Sequence, residues 1–172
     1  MSFDVIQTRQ LAQLNLLKQI LDEEGIPVTI LEKSNDIAIH LLIANIQQDA
    51  EGRDRFLQFS FVPMEEEEGQ TLQFLQIYST LPFSMETSQR AEVAELLLEL
   101  NTRLPLGHMG ITVDQEIHYR YVYTLSSGQV LISDEVLELL SLFVYMLEMF
   151  GGVLERVATG TTNAASAIAD LR

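Results

Sequence analysis

The stretch that decides the fold is residues 133–157, which read SDEVLELLSLFVYMLEMFGGVLERV. At 100° per residue the polar side chains of residues 136–157, together with Asp134, fall within an arc of about 100°, and about 260° of the helix circumference is apolar. The polar positions are Asp134, Glu138, Ser141, Glu148, Glu155 and Arg156. A surface helix normally hides an apolar stripe somewhat over 100° wide. One sheet face cannot cover such a helix, so a second burying surface is required.

Two arrangements could supply that second surface. A second copy of the chain across a two-fold axis is the commonest one for a soluble protein, and it leads us to expect a homodimer. The alternative is that the other helices of the chain wrap the segment within the monomer.

Aromatic rings and methionines in two parts of the chain are candidates for contact with a partner. Three tyrosines alternate along one predicted strand, and several soft apolar side chains lie on the closing helix, where they could adapt to a partner protein. The predicted partner or dimer interface is Tyr119, Tyr121, Tyr123, Phe143, Met146, Met149 and Phe150. In the alternative interpretation the tyrosines pack beneath a helix, with their hydroxyls at the margin, and the helix residues belong to a core.

Outward from the closing helix, the chain alternates between helical and strand periodicity. Apolar residues repeat at helical spacing over Phe3–Glu24 and Thr87–Leu104. The strand-like runs are residues 28–31, 37–43, 56–62, 72–78, 106–113 and 117–125. Their alternation indicates an antiparallel sheet with one covered face. The order α-β-β-β-β-α-β-β-α predicts an α+β fold in which helices cover the sheet in two layers.

The covered face of the sheet is predicted from the same alternation. In the third run Leu57, Phe59 and Phe61 share a side, and in the fourth Leu72, Phe74 and Tyr78 share a side. We expect both sets to face the helices.

Length and composition indicate a single domain. The chain has 172 residues, of which 47% are hydrophobic, enough to form a core. Residues 1–158 are predicted to form one α+β domain. Residues 159–172, rich in Ala, Thr and Ser, are predicted to be a flexible or loosely helical tail.

The charge of the chain argues against several classes of partner. It carries 10 Lys and Arg against 25 Asp and Glu, for a net charge of −15. Such a field repels phosphate backbones and anionic membranes, so we expect neither nucleic-acid nor membrane binding. The apolar stretch of the closing helix is interrupted by Glu138 and Glu148, which also favours a soluble protein. The first residues show no secretory signal pattern, and we expect a cytoplasmic protein.

The residues that could carry chemistry are not gathered in any recognisable motif. There are no cysteines, which excludes disulfides, thiolate metal sites and cysteine nucleophiles. The hairpin register predicts roughly 10–13 Å between His108 and His118, too far for two ligands of one zinc ion. Glu65–Glu68 is predicted to be a solvated hairpin tip. We expect no catalytic residue, no cofactor and no metal, and thus no enzyme.

One segment points to a known family. Leu100–Gly107, with the sequence LNTRLPLG, leads into a strand, and Tyr119-Arg120 lies on the next. Together with the element order from Val5 to Val157, it resembles the YbjN family of bacterial sensory-transduction regulators, whose fold is similar to that of type III secretion chaperones. The resemblance implies a two-layer α+β domain, often dimeric, that handles other proteins and has no recognised catalytic residues.

The expected function follows from these observations. We expect a non-enzymatic, chaperone-like or regulatory module that binds an unidentified client protein through apolar and acidic surfaces, as a homodimer. The alternative is a small-molecule binding or enzymatic domain with a pocket between sheet and helices. A convergent polar cluster around Asn101, His118 and Arg120 would favour the alternative.

Overall fold

The computed structural model describes residues 3–64, 71–126 and 128–171. Over these residues the chain forms four α-helices and six strands. Their bounds are α1 Phe3–Glu23, β1 Val28–Leu31, β2 Leu41–Ile46, β3 Arg55–Phe61, β4 Leu72–Thr80, α2 Arg90–Asn101, β5 His108–Ile111, β6 Ile117–Ser126, α3 Ser133–Ala158 and α4 Ala164–Asp170. The strands form an antiparallel sheet in the order β1-β2-β3-β4-β6-β5. This confirms the predicted α+β fold and adds α4 at its end. The predicted Glu65–Glu68 tip lies outside the described residues.

The chain divides into two compact units, each built from three separate stretches. Unit 1 comprises Met1–Gln47, Phe56–Tyr78 and Tyr121–Glu138, and unit 2 comprises Gln48–Arg55, Ser79–Arg120 and Leu139–Arg172. Several strands and α3 run from one unit into the other. The single domain over residues 1–158 stays a prediction.

In unit 1, α1 packs on β1 and β2. Leu14 and Leu17 of the helix and Leu42 of β2 are fully buried. Gln13 lies on the same apolar face, and its amide is occupied on both sides. It donates to the carbonyl of Gln129 at 2.8 Å and accepts from the backbone N–H of Leu131 at 3.3 Å. This polar residue therefore holds the segment that leads into α3.

Strand β2 begins later than the sequence indicates. Residues 35–36 and 38–39 form bends, and the strand starts at Leu41. The N–H of Ser34 donates to the carbonyl of Ile37 at 3.0 Å, and the N–H of Lys33 donates to Nδ1 of His40 at 3.1 Å. These bonds turn the chain, so the backbone groups of that segment are not available to a strand ladder.

Strand β4 buries the opposite side from the one predicted. Leu75 and Ile77 are buried, whereas Phe74 and Tyr78 are half-buried. The register explains this, since Ile77 lies opposite the fully buried Phe59 and residues directly opposite each other share a face. Both sides of β4 carry apolar residues, so alternation alone does not select the covered one.

In unit 2, α2 is joined to the edge strand β5 by a side chain. Nδ2 of Asn101 donates to the carbonyl of Met109 at 3.0 Å, and its Oδ1 accepts from the N–H of Met109 at 2.8 Å. Gly107 enters this strand with φ of +67°, and a Cβ there would lie 2.5 Å from the carbonyl oxygen of Arg120. Only glycine fits this position without a shift of the backbone.

Residues 163–171 belong to unit 2 and are held in it by hydrogen bonds to other parts of the same unit. Asn163 caps α4 by accepting from the N–H of Ser166 at 2.8 Å, and Ala164 is buried. The N–H of Ala164 donates to Oε2 of Glu92 at 2.7 Å, and Arg103 donates to the carbonyl of Leu171 at 2.9 Å. Small alanines allow this close approach. Residues 164–170, half of the tail predicted at residues 159–172, form helix α4, and the flexibility of the tail stays a prediction.

Candidate interaction surface

Helix α3 is buried along one side by its own chain. Its buried side chains are Val136, Leu140, Phe143, Met146, Leu147, Phe150, Val153, Leu154, Val157 and Ala158. Its exposed large apolar side chains among the described residues are Tyr145 at 52% and Met149 at 46%. By length and a hydropathy of 1.7 the helix could also cross a membrane, and 39% of its apolar 18-residue window is buried. The alternative that we left open, cover from within the chain, therefore accounts for one side of the helix and not for its whole apolar circumference.

Part of the polar arc of α3 is also engaged, by two arginines of unit 2. Arg53 forms a bidentate pair with Glu155, at 2.6 Å and 2.8 Å, and donates to Asp49 at 2.7 Å. Arg55, only 4% exposed, donates to Glu148 at 3.1 Å. Charge-assisted bonds of this geometry are the strong ones. No pattern in the sequence indicates these ion pairs, because the partners are 93 and 102 residues apart.

The pKa values around Arg53 follow from this network. Hydrogen bonds from its guanidinium lower the pKa of Glu155 and outweigh the opposing effect of burial. For Asp49 burial alone would raise the pKa, but bonds from the backbone and side chain of Arg53 more than offset it, so the pKa is lowered. Both groups are therefore held as carboxylates.

The predicted interface residues occupy three different environments. Tyr119, Phe143, Met146 and Phe150 are buried, so in this structure they are core residues. Tyr121 and Tyr123 follow Tyr119 on the same side of β6 and are partly exposed. Met149 is exposed. An interface role stays a prediction for all seven residues, and these last three are the ones that the structure leaves accessible.

Tyr119 shows how completely such a side chain is enclosed. Its ring stacks on Phe143 with centroids 4.1 Å apart, and its hydroxyl donates to the carbonyl of Leu106 at 2.7 Å. Burial raises the pKa of Tyr119 to about 12. Tyr123 instead reaches Oε2 of Glu135 at 3.2 Å with its hydroxyl. This matches the alternative in which the tyrosines pack beneath a helix.

The less buried side of the sheet in unit 1 carries no carboxylate among the described positions, and the next residue on that side of β6 is the cation Arg120. Alternate residues of β1 to β4 and of β6 project to this side, which we call the open face. It comprises Thr29, Leu31, Leu41, Ile43, Asn45, Phe56, Gln58, Ser60, Phe74, Gln76, Tyr78, Val122 and Thr124. Phe56 is 45% exposed. Depletion of charge with retention of aromatic rings is the compositional signature of an interface core.

The two histidines of the β5–β6 hairpin lie closer together than predicted. Their ring centroids are 6.3 Å apart, because His118 lies opposite Gly110, only two residues along β5 from His108. The turn is longer than the sequence indicates, with the N–H of Thr112 donating to the carbonyl of Glu116 and φ of +66° at Gln115. The predicted separation of 10–13 Å was therefore wrong.

The hairpin histidines do not form a polar cluster with Asn101, whose amide is bonded to the β5 backbone. The pKa of His118 is lowered by burial, and further by the nearby His108 and Arg120. Within the part of the chain that the structure describes, no three His, Asp or Glu side chains are grouped to hold a metal ion.

The structure adds one buried polar group that the sequence analysis overlooked. Gln73 of β4 is 4% exposed, on the covered side of the strand, and it lines a cavity in unit 1. The sequence does show a glutamine among apolar residues at this position. Because the other side of β4 was predicted to be covered, Gln73 was assigned to the exposed side and its burial was not expected.

The architecture is α+β, and the sheet in unit 1 has a face without carboxylates among the described residues. A family model, YbjN, described as "Putative bacterial sensory transduction regulator", matches residues 13–156. The chain belongs to the YbjN family, as the segment around Leu100–Gly107 indicated. A search of the curated proteins finds no match to this chain.

Proposed function

We propose that this protein is a non-enzymatic regulatory module that binds other proteins and forms a homodimer through the open face. The observation that carries the proposal is the absence of carboxylates among the described residues of this face in a chain with a net charge of −15. The regulatory description of the YbjN family agrees with a binding role.

The electrostatics favour a second copy as the occupant of the open face. Two chains of charge −15 repel each other, and only surfaces without carboxylates can approach within the Debye length of about 8 Å at low cost. The open face meets this condition. Its aromatic side chains Phe56, Phe74 and Tyr78 also offer the apolar area that stable dimers need. A two-fold axis would place the same patch on both sides of the contact.

A client protein would then use other surfaces. The acidic charge outside the open face favours a basic or amphipathic segment. Of the two edge strands, β5 already has the N–H and carbonyl of Met109 bonded to Asn101. Strand addition is therefore favoured at β1, the other edge of the sheet.

The dimer is tested by light scattering of the intact chain at micromolar concentration. We expect about twice the chain mass of 19.4 kDa, and Phe56→Glu should return a monomer, because a two-fold contact would place two new carboxylates in it. The matched control is Leu98→Glu, since Leu98 is 74% exposed on α2 and lies outside the open face. Circular dichroism verifies that both variants are folded.

A wild-type chain of monomer mass would contradict the proposal, as would equal loss of association in both variants. Met149→Glu tests separately the prediction that α3 contributes to the interface. If α3 and not the sheet forms the contact, this variant dissociates the dimer and Phe56→Glu does not.

A further inference from the structure

One face of the β5–β6 hairpin in unit 2 carries three basic side chains, which we call the basic cluster: His108 of β5, and His118 and Arg120 of β6. His108 lies directly opposite Arg120 in the antiparallel register. Residues directly opposite each other share a face, with Cβ atoms about 5 Å apart. His118 projects to the same side, because it lies two residues before Arg120 on the same strand. The hairpin therefore has a positive face in a chain with a net charge of −15.

Gly110 makes room for the basic cluster. It lies opposite His118, and a Cβ at this glycine would lie 2.8 Å from Cε1 of the His118 ring. The ring of His118 therefore packs down on the β5 backbone, with its centroid 6.3 Å from that of His108 in an edge-to-face geometry. His118 is partly exposed, whereas His108 is exposed. His108 is thus the histidine of the pair that a ligand can reach, and His118 supports it from the side.

The electrostatics of the basic cluster favour an anion. Burial lowers the pKa of His118, and the positive charges of His108 and Arg120 lower it further. Neither β5 nor β6 contains an aspartate or a glutamate, and the carboxylates of the hairpin, Asp114 and Glu116, lie between the two strands. Like charges that are held close together repel one another. An anion bound beside them would be attracted by each.

We propose that the basic cluster binds phosphate, free or as the monoester of a small molecule, with the guanidinium of Arg120 and the imidazole of His108 as hydrogen-bond donors. A guanidinium can offer two parallel N–H groups to a phosphate, and it has five donors in all, so other contacts of Arg120 do not prevent this. His108 supplies the third donor. Three donors match the three terminal oxygens of a phosphate monoester, whereas a carboxylate has two oxygens. The site goes beyond the proposed dimer and client binding and does not depend on either.

A small phosphate suits the basic cluster better than a nucleic acid does. The net charge of −15 repels an extended polyanion, which cannot avoid the rest of the surface. Charges more than about 8 Å away are largely screened at physiological salt, so a small anion responds mainly to the cluster itself. Because partly exposed charges pair weakly in water, we expect a dissociation constant of about 1–10 mM.

An NMR titration of the full chain with inorganic phosphate tests the proposal, at neutral pH and at an ionic strength held constant with NaCl. We expect the imidazole signals of His108 and His118 to shift and to saturate. The internal control is His40 in unit 1, whose Nδ1 accepts from the N–H of Lys33 and whose signals should not move. Acetate, the carboxylate probe, should bind about fivefold more weakly, because it offers one oxygen fewer and less charge. Glycerol 3-phosphate identifies the source: binding as tight as that of inorganic phosphate supports a monoester, and weaker binding supports free phosphate.

Substitutions separate the basic cluster from the general charge of the chain. Arg120→Gln should weaken phosphate binding about tenfold, and His108→Gln about threefold. Arg120→Lys should have a smaller effect than Arg120→Gln, because it keeps the charge and loses the parallel pair of donors. The matched control is Arg103→Gln, which removes one positive charge from a side chain that donates to Glu99 and to the carbonyl of Leu171. It should leave the affinity unchanged, and circular dichroism verifies that every variant is folded.

The proposal is overturned if inorganic phosphate at about 50 mM, well above the expected dissociation constant, leaves the signals of His108 unchanged. Equal weakening by Arg103→Gln and Arg120→Gln overturns it as well, because the effect would then come from the net charge. Acetate that binds as tightly as phosphate would also contradict it. None of these results decides whether the chain dimerises, which light scattering measures independently.

Discussion

Helix α3 and the open face of the sheet differ in a way that neither composition alone would indicate. The helix has the more apolar composition, but its own chain buries one side of it. The open face has a mixed composition, with glutamines and threonines between its aromatic residues, and yet it is the less buried side of its strands. An apolar surface therefore indicates an interface only where residues of the same chain do not already cover it.

The largest expected effect on stability concerns the buried side chains of α3. Phe143→Ala should lower the free energy of unfolding by about 3–5 kcal/mol, because the ring is fully buried and stacks on Tyr119. The control is Tyr145→Ala on the same helix, where the side chain is 52% exposed and a loss below about 1 kcal/mol is expected. Urea denaturation measures both. Equal losses would mean that the helix is not covered as described.

A smaller effect tests the polar arc of α3. Arg53→Met should lower the free energy of unfolding by about 1–2 kcal/mol, because it removes the bonds to Glu155 and Asp49. The value is discounted because the Arg53 side chain is 31% exposed. A double-mutant cycle with Glu155→Gln isolates the pair and should give a coupling energy of about 1 kcal/mol. Strict additivity of the two substitutions would show that the pair contributes nothing.

The smallest effect concerns pH and the β6 strand. The pKa of His118 in the folded chain lies below its ordinary value of 6.5, chiefly through burial. Between those two values the unfolded state binds more protons, so stability falls as pH is lowered. The contribution is fully present above pH 6.5 and is lost as pH falls through the folded pKa. His118→Phe should show a shallower loss of stability between about pH 7 and pH 5.

The measurement is urea denaturation at several pH values, together with the ring-proton shift of His118 in NMR spectra. A ring-proton titration midpoint at or above the ordinary pKa would contradict the prediction. So would identical pH dependence of stability in the wild type and His118→Phe.

Several features of the fold were accessible from the sequence because they depend on neighbours along the chain. The helical periodicity of α1 to α3 and the alternation in the strands follow from local geometry. The side of β4 that is covered could not be predicted, since both sides are apolar and the pairing of Ile77 with Phe59 decides between them. The start of β2 was missed because a turn at residues 34–40 occupies backbone groups that the apolar pattern assigned to a strand.

The candidate sites were less accessible. A prediction from apolar patterning selected Phe143 and Met146, which are core residues, and did not single out Phe56, which is 45% exposed. A periodic pattern indicates that a side chain is apolar, but it does not indicate which other residues of the fold cover that side chain. The burial of Gln73 was not predicted either, because the residues that lie around it come from three separate parts of the chain.

By itself the amino-acid sequence determined the order of helices and strands, the acidic charge, the lack of cysteine chemistry and the membership in the YbjN family. Each of these depends on composition or on spacing along the chain. The tertiary structure alone decided which apolar surfaces are covered, which carboxylates pair with Arg53 and Arg55, and whether Gln73 is buried. These outcomes depend on contacts between residues distant in sequence, which no local pattern encodes.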